Sequence, residues 1–86
     1  MSRGRREVET MATTAYVLIE AAPKKASTAC AKIAKVPGVR AAHMVTGPFD
    51  IIARIEGKDS ATLGKLVLSR IQNVDGVART ITCVTI

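Results

Sequence analysis

One short motif occurs twice in this chain and constrains the fold more than any other feature. Val36-Pro37-Gly38-Val39 and Val74-Asp75-Gly76-Val77 share a Val-x-Gly-Val frame at a constant offset. Each copy ends a stretch of helical periodicity and begins a β-rich run. Proline cannot continue a helix, and glycine accepts the left-handed backbone that turns a chain out of one. Each unit also opens on its own apolar strand. Two successive β-α-β units within about seventy residues give β-α-β-β-α-β. This is the α+β, ferredoxin-like arrangement: a four-stranded antiparallel sheet with two helices on one face.

The individual elements follow from local pattern. Tyr16-Val17-Leu18-Ile19, closed by Glu20 and Ala21, reads as the first strand. Pro23 suits the first turn of the first helix, where its missing N–H would be unpaired anyway. Ala26, Ala29, Cys30 and Ile33 then recur at helical spacing. Val39 to Thr46 reads as strand two, Gly47-Pro48 as a turn, and Ile51 to Ile55 as strand three. Asp59 is placed to cap a second helix with Leu63, Leu66, Val67 and Ile71 on one face. Ala78 to Ile86 closes the chain as strand four. Residues 1–14 lack any hydrophobic pattern and read as a disordered basic tail, with Met11 a second candidate start, so the domain occupies 15–86.

A chain of 86 residues makes one small domain. At this size only about 60–65% of the unfolded surface is buried, so the core is marginal. Two helices cover one face of the sheet and leave the other open. Tyr16 and Leu18 alternate with Val17 and Ile19, Ile52 alternates with Ile51 and Ala53, and Ile81 and Cys83 alternate with Val84 and Ile86. Whichever set meets the helices, apolar residues remain on the other side, and such a face marks an interface. A homodimer formed face to face covers it and supplies the missing core. Tyr16, Leu18, Ile52, Arg54 and Val84 are the expected interface residues. Arg54 and Glu56 share the strand face of Ile52 and add charge pairing.

Charge and composition remove several function classes. Lys and Arg number 13 against 7 Asp and Glu, a formal net charge of +6, which invites a nucleic-acid reading. Arg3, Arg5 and Arg6 lie at the start, Lys24, Lys25, Lys32 and Lys35 share one segment, and the remainder are scattered. With one Tyr, one Phe and no Trp, nothing is available to stack bases. The basic residues therefore read as solvated surface, without sequence-specific DNA binding. Cys30 and Cys83 fall on apolar-periodic positions with no second ligand nearby, and His43 is the single histidine. That excludes a dedicated metal site or cofactor, and the cysteines read as small buried hydrophobes in a reducing compartment. The apolar runs are far short of a membrane span and no secretory h-region follows Met1, so a soluble, cytoplasmic protein is expected. Catalytic groupings are missing as well. His43 is isolated in strand two, Asp50 has no second carboxylate close in sequence, and Ser27, Ser60 and Ser69 lack a nucleophile elbow. The chain does not read as an enzyme.

The stretch Val45-Thr46-Gly47-Pro48-Phe49-Asp50-Ile51-Ile52-Ala53 carries the functional signal. A glycine in this turn lets backbone N–H groups approach an anion closely, and an aspartate three residues on can accept from an ammonium. Together these are the contacts a free α-amino acid requires. Spacing alone favours a plain hairpin turn with Asp50 as its local cap.

From about Ala15 to Ile86 the chain resembles the ligand-binding domain of the Lrp/AsnC family, also called the RAM domain. The resemblance rests on an ordered set of pieces. These are Tyr16-Val17-Leu18-Ile19, Val36-Pro37-Gly38-Val39, Val45-Thr46-Gly47-Pro48-Phe49-Asp50-Ile51-Ile52, Leu66-Val67, and Val74-Asp75-Gly76-Val77 followed by Thr80-Ile81-Thr82. It implies a domain that dimerises through its sheets, assembles into rings, commonly octameric, and binds small effectors, usually amino acids, between dimers. By that resemblance Val45, Thr46, Gly47, Pro48, Phe49 and Asp50 line the effector cleft. Asp50 orients the ammonium or braces the turn, and Thr80 and Thr82 reach the ligand from a neighbouring subunit. Pro48 has no N–H and leaves one donor fewer. Full-length members carry an N-terminal helix-turn-helix domain, for which the residues before strand one are too few. The expected role is thus amino-acid sensing in transcriptional regulation, with a full-length Lrp/AsnC regulator as a candidate partner. Two other readings share the topology: an ACT-like regulatory domain, and a small dimeric α/β-barrel enzyme using His43 and Asp50.

Overall fold

A computed structural model describes residues 12–86; the expected tail over residues 1–11 lies outside the described residues. The elements are β1 (Thr13–Ala21), α1 (Ala26–Ala34), β2 (Val39–Met44), β3 (Ile51–Gly57), α2 (Ser60–Leu66, continued by a π-helical turn over Val67–Ile71) and β4 (Val77–Val84). All strand pairings are antiparallel, in the order β2-β3-β1-β4. This is the ferredoxin-like α+β fold the repeat predicts. β1 begins earlier than expected. Thr13 and Thr14, placed in the tail by sequence, pair with Gly57 and Glu56 of β3, since β-branched threonines extend a ladder readily.

Alternation decides which side of each strand meets the helices. Ala15, Val17 and Ile19 of β1 and Ile51, Ala53 and Ile55 of β3 are fully buried. They pack with Ala29 and Ile33 of α1 and with Leu63, Val67 and Ile71 of the second helical segment. Burying a Val, Leu or Ile side chain stabilises by about 1.5–3 kcal/mol, so this cluster is the main source of stability. α2 starts as its sequence predicts, with the Asp59 carboxylate accepting from the Thr62 N–H at 2.8 Å. The π-helical turn was not legible in the sequence. Gln72 N–H reaches back to the Val67 carbonyl at 2.9 Å, and Leu68 is turned out, 64% exposed.

The two Val-x-Gly-Val copies have the same geometry. Gly38 and Gly76 both have φ 97. Val39 N–H donates to the Val36 carbonyl at 3.0 Å, and Val77 N–H to that of Val74 at 3.1 Å. Positive φ at the third residue with this bond is the type II pattern, which glycine alone adopts without strain. Pro23 departs from expectation. It occupies the second position of a similar turn, in which Lys25 N–H donates to the Ala22 carbonyl at 3.0 Å. Lys24 takes φ 68 there, and α1 starts only at Ala26. Proline's fixed φ suits that corner as well as a helix start.

Candidate functional site

The β2–β3 turn, Val45 to Asp50, is held by three hydrogen bonds that converge on Asp50. Val45 N–H donates to the Asp50 carbonyl at 2.9 Å, and Asp50 N–H donates to the Ile19 carbonyl at 2.9 Å. The Asp50 carboxylate accepts from the Ala21 N–H at 2.8 Å through Oδ2. The β1–β3 ladder ends at the Ile19–Ile51 pair, so the Ala21 amide, which points to the same side as the Ile19 backbone, lies beyond its last rung, and Asp50 supplies the partner. Of the two roles the resemblance implies for Asp50, the structure contains the bracing one. Val45, Phe49 and Asp50 are half-buried, whereas Thr46, Gly47 and Pro48 are exposed at the tip. Gly47 has φ 140, and a Cβ built on it meets nothing within 4 Å. The turn is therefore anchored at its base and bare at its tip.

Thr80 and Thr82 do not join this turn within one chain. Thr80 pairs with Ile19, which pairs in turn with Ile51. Adjacent strands lie about 4.8 Å apart, which places Thr80 about 10 Å from Ile51. Thr82 lies one row deeper, opposite Val17. Both are on the helix side of the sheet, yet Thr82 is exposed because β4 lies at the sheet edge, beyond β1. The Thr80 hydroxyl accepts from Gln72 Nε2 at 2.9 Å. A shallow cleft of about 290 Å3 opens beside it, lined by Gln72, Val77, Ala78, Arg79 and Thr80. Its only residue in common with the sequence-based site is Thr80. Sequence reading missed Ala21, which contributes through its backbone amide, and Gln72, whose contact arises only when the α2–β4 turn folds back.

The open face of the sheet has an apolar centre and ion pairs at both ends. His43, Ile52, Leu18 and Ile81 form one row, and Ala41, Arg54, Tyr16 and Cys83 the next. Arg40 and Arg54 share the Glu56 carboxylate at 3.1 and 2.9 Å, and Arg79 meets Glu20 at 3.3 Å. Tyr16, Leu18, Ile52 and Arg54 lie on this face as expected. Val84 does not: it pairs with Ala15 and so points to the helix side. The first-strand residue that faces the helices sets the parity of its β4 partner, and the register was not readable from β4 itself. Cys83, expected to be buried, is exposed on the open face, while Cys30 packs against the core and burial pushes its thiol pKa up. His43 is exposed on the same face. Among the described residues no cluster of three or more His, Cys, Asp or Glu is placed to hold a metal ion. No helix among them is long and apolar enough to cross a membrane.

The architecture places the chain among ferredoxin-like α+β domains with one bare sheet face, and comparison with known proteins narrows the class. The family model for the Lrp/AsnC ligand binding domain matches residues 14–86, and the chain belongs to this family. A helix-turn-helix-type transcriptional regulator of Pyrococcus furiosus is 35% identical over 78 residues, spanning 87% of this chain and 52% of that one. A solved protein of Thermus thermophilus superposes with a TM-score of 0.81 at 34% identity, covering 86% of this chain and 92% of its own. Escherichia coli AsnC shares the fold, with a TM-score of 0.82 at 20% identity over 94% of this chain and 54% of its own. The chain spans about half the length of the curated relatives it matches. Those relatives are named as transcriptional regulators, so this is a ligand-binding domain of a type found in transcriptional regulators.

Proposed function

We propose that this domain senses a small molecule of the α-amino-acid type and conveys its binding to transcription through its state of assembly, in the cytoplasm and without catalysis. The observation that carries this reading is the β2–β3 turn, anchored through Asp50 to β1 and presenting an unobstructed Gly47 at its tip. Exposed backbone N–H groups at Thr46 and Gly47 suit a carboxylate. One Asp50 oxygen is engaged by Ala21, and the other is the acceptor for an ammonium. Pro48 contributes no donor, which leaves the turn to bind through fewer amide contacts. Thr80 and Thr82 complete the cleft from a neighbouring subunit. One member of the wider fold, a transcriptional regulator of Neisseria meningitidis at 20% identity and TM-score 0.80, is described as a complex with L-Met, which supports amino-acid chemistry for the ligand.

Assembly follows from the open face. Tyr16, Leu18, Ile52 and Arg54, joined by Ile81 and Cys83, form the homodimer contact, and dimers close into an octamer-like ring that places turns and β4 edges of different subunits together. The same surfaces would admit a full-length Lrp/AsnC regulator into a mixed assembly. The test is light scattering after gel filtration, with thermal unfolding, in the presence of each standard amino acid in turn. A discrete oligomer larger than a dimer, shifted by particular amino acids, supports the reading. A bare dimer indifferent to all of them refutes amino-acid sensing. Asp50→Asn separates the two roles of the carboxylate, because asparagine still accepts from Ala21 but cannot pair an ammonium. It should keep the wild-type melting temperature within a few degrees and lose about tenfold or more in ligand affinity, since a charged hydrogen bond contributes about 1.5–3 kcal/mol.

A further inference from the structure

The fold sorts charge by layer. Along the strands and the β2–β3 turn, Arg40, Arg54 and Arg79 balance Glu20, Asp50 and Glu56, and the net charge is zero. Each of those arginines is in an ion pair with a strand carboxylate. The helical layer, residues 23–37 and 58–76, is different. It carries Lys24, Lys25, Lys32, Lys35, Lys58, Lys65 and Arg70 against Asp59 and Asp75, so seven cations meet two carboxylates and leave a net of +5. All seven cations are exposed. Asp75 is engaged by Lys25 at 3.2 Å and Asp59 by the Thr62 N–H. The other six cations have no ion-pair partner among the described residues. Scattered along the sequence, these cations share one side of the molecule because both helical segments pack on the same face of the sheet. A Cβ on Gly38, just after α1, would meet Leu66 of α2 at 2.6 Å, and one on Gly76, just after the second helical segment, would meet Lys25 before α1 at 2.8 Å.

We propose that this outer helical surface binds the phosphate backbone of duplex DNA independently of sequence. The argument is charge complementarity of a particular kind. Six of the seven cations are lysines, which meet phosphate as point charges and carry no planar fork for reading base edges. Exposed aromatic groups that would stack unpaired bases are missing from the two helices, which favours a duplex over a single strand. The apolar side of the sheet lies opposite, so whatever covers the sheet leaves the cationic layer outward. The relatives at 35% and 30% identity are helix-turn-helix-type regulators, for which duplex DNA is the polyanion at hand. The contact is independent of whether the β2–β3 turn takes an amino acid. It would add affinity without adding specificity.

Fluorescence anisotropy of a labelled mixed-sequence duplex, titrated with the full chain across a salt series, tests this. The affinity should fall linearly with salt on logarithmic axes with a slope of about −3 to −5, about 0.9 per phosphate neutralised, and should be the same for a scrambled duplex. The triple variant Lys32→Glu, Lys35→Glu, Lys65→Glu should bind at least about tenfold more weakly at low salt, with a slope shallower by about 2–3. The corresponding Lys→Gln variant, which keeps helix propensity, should move the same way by a smaller amount with an unchanged circular dichroism spectrum. Three results overturn the proposal. One is no binding at low salt. Another is binding abolished by Arg3→Ala, Arg5→Ala and Arg6→Ala together but untouched by the helix variants. The third is tighter binding of an acidic polypeptide than of duplex DNA at equal charge, which would assign the surface to an acidic protein.

Discussion

Replacing Leu18 with aspartate tests whether the bare sheet face is where two copies meet. Leu18 lies in the centre of that face, in one row with His43, Ile52 and Ile81. Complete burial of a leucine side chain stabilises by about 1.5–3 kcal/mol, and Leu18 is half-buried in the single chain, so pairing adds about 1 kcal/mol per copy. An aspartate there loses that gain and must also give up water without a dedicated partner, at a cost of about 2–3 kcal/mol per copy. Two-fold symmetry doubles both contributions, to about 6–8 kcal/mol per dimer, and each 1.4 kcal/mol is tenfold in Kd, so association weakens by at least about four orders of magnitude. The fold itself should survive, because Val17 and Ile19, not Leu18, occupy the core. Light scattering after gel filtration at micromolar concentration should therefore show Leu18→Asp as a folded single chain of 9.1 kDa where the wild type is a dimer or larger. Thiol labelling gives a second readout. Cys83 lies beside Tyr16 on this face, so it should be protected in the wild type and react rapidly in Leu18→Asp. The half-buried Cys30, with its raised thiol pKa, should react slowly in both. A Leu18→Asp protein that keeps the wild-type mass, with Cys83 still labelled at the wild-type rate, would refute the sheet-face dimer.

Two further outcomes follow from local geometry. Gly76→Ala forces a side chain into φ 97 and against Lys25 Cβ at 2.8 Å, so urea unfolding should show a loss of about 2–4 kcal/mol. Gly47→Ala adopts φ 140 in open space and should lose only about 1–2 kcal/mol; equal losses would refute the steric account. For Asp59, the Thr62 N–H, followed by the Thr62 side chain and then Lys58 and Lys65, holds the carboxyl below the usual carboxylate range. A depressed folded-state pKa contributes stability that is present above the unfolded pKa and lost as pH falls through the folded one. The wild type should therefore melt above Asp59→Ala at neutral pH, and the gap should close as the pH is taken below the carboxylate range. A gap that persists in acid would mean the cap acts without its charge.

The repeated Val-x-Gly-Val motif, the alternation in β1 and β3 and the Asp59 cap determined the topology, because each depends on residues close in sequence whose backbone preferences are strong. The same local logic reached the β2–β3 turn and named Asp50. It could not choose between cap and ligand group, since the Ala21 amide that engages the carboxylate lies 29 residues away. Three features were decided only by the tertiary structure. Val84 was assigned to the wrong side because the face of an edge strand is set by its register against β1, and Thr, Val, Ile and Cys along β4 fit either side equally well. Pro23 fits a type II corner and a helix start with the same fixed φ, and only the Ala22–Lys25 bond chooses. The lysines look dispersed along the chain because they occupy two segments separated by β2 and β3. Packing of both helical segments on one side of the sheet puts them on a common side, while ion pairs with Glu20 and Glu56 engage the arginines of the sheet. Sequence thus fixes what each segment can form, through short-range sterics and periodicity. Which side chains share a surface depends on register and packing between segments far apart in the chain.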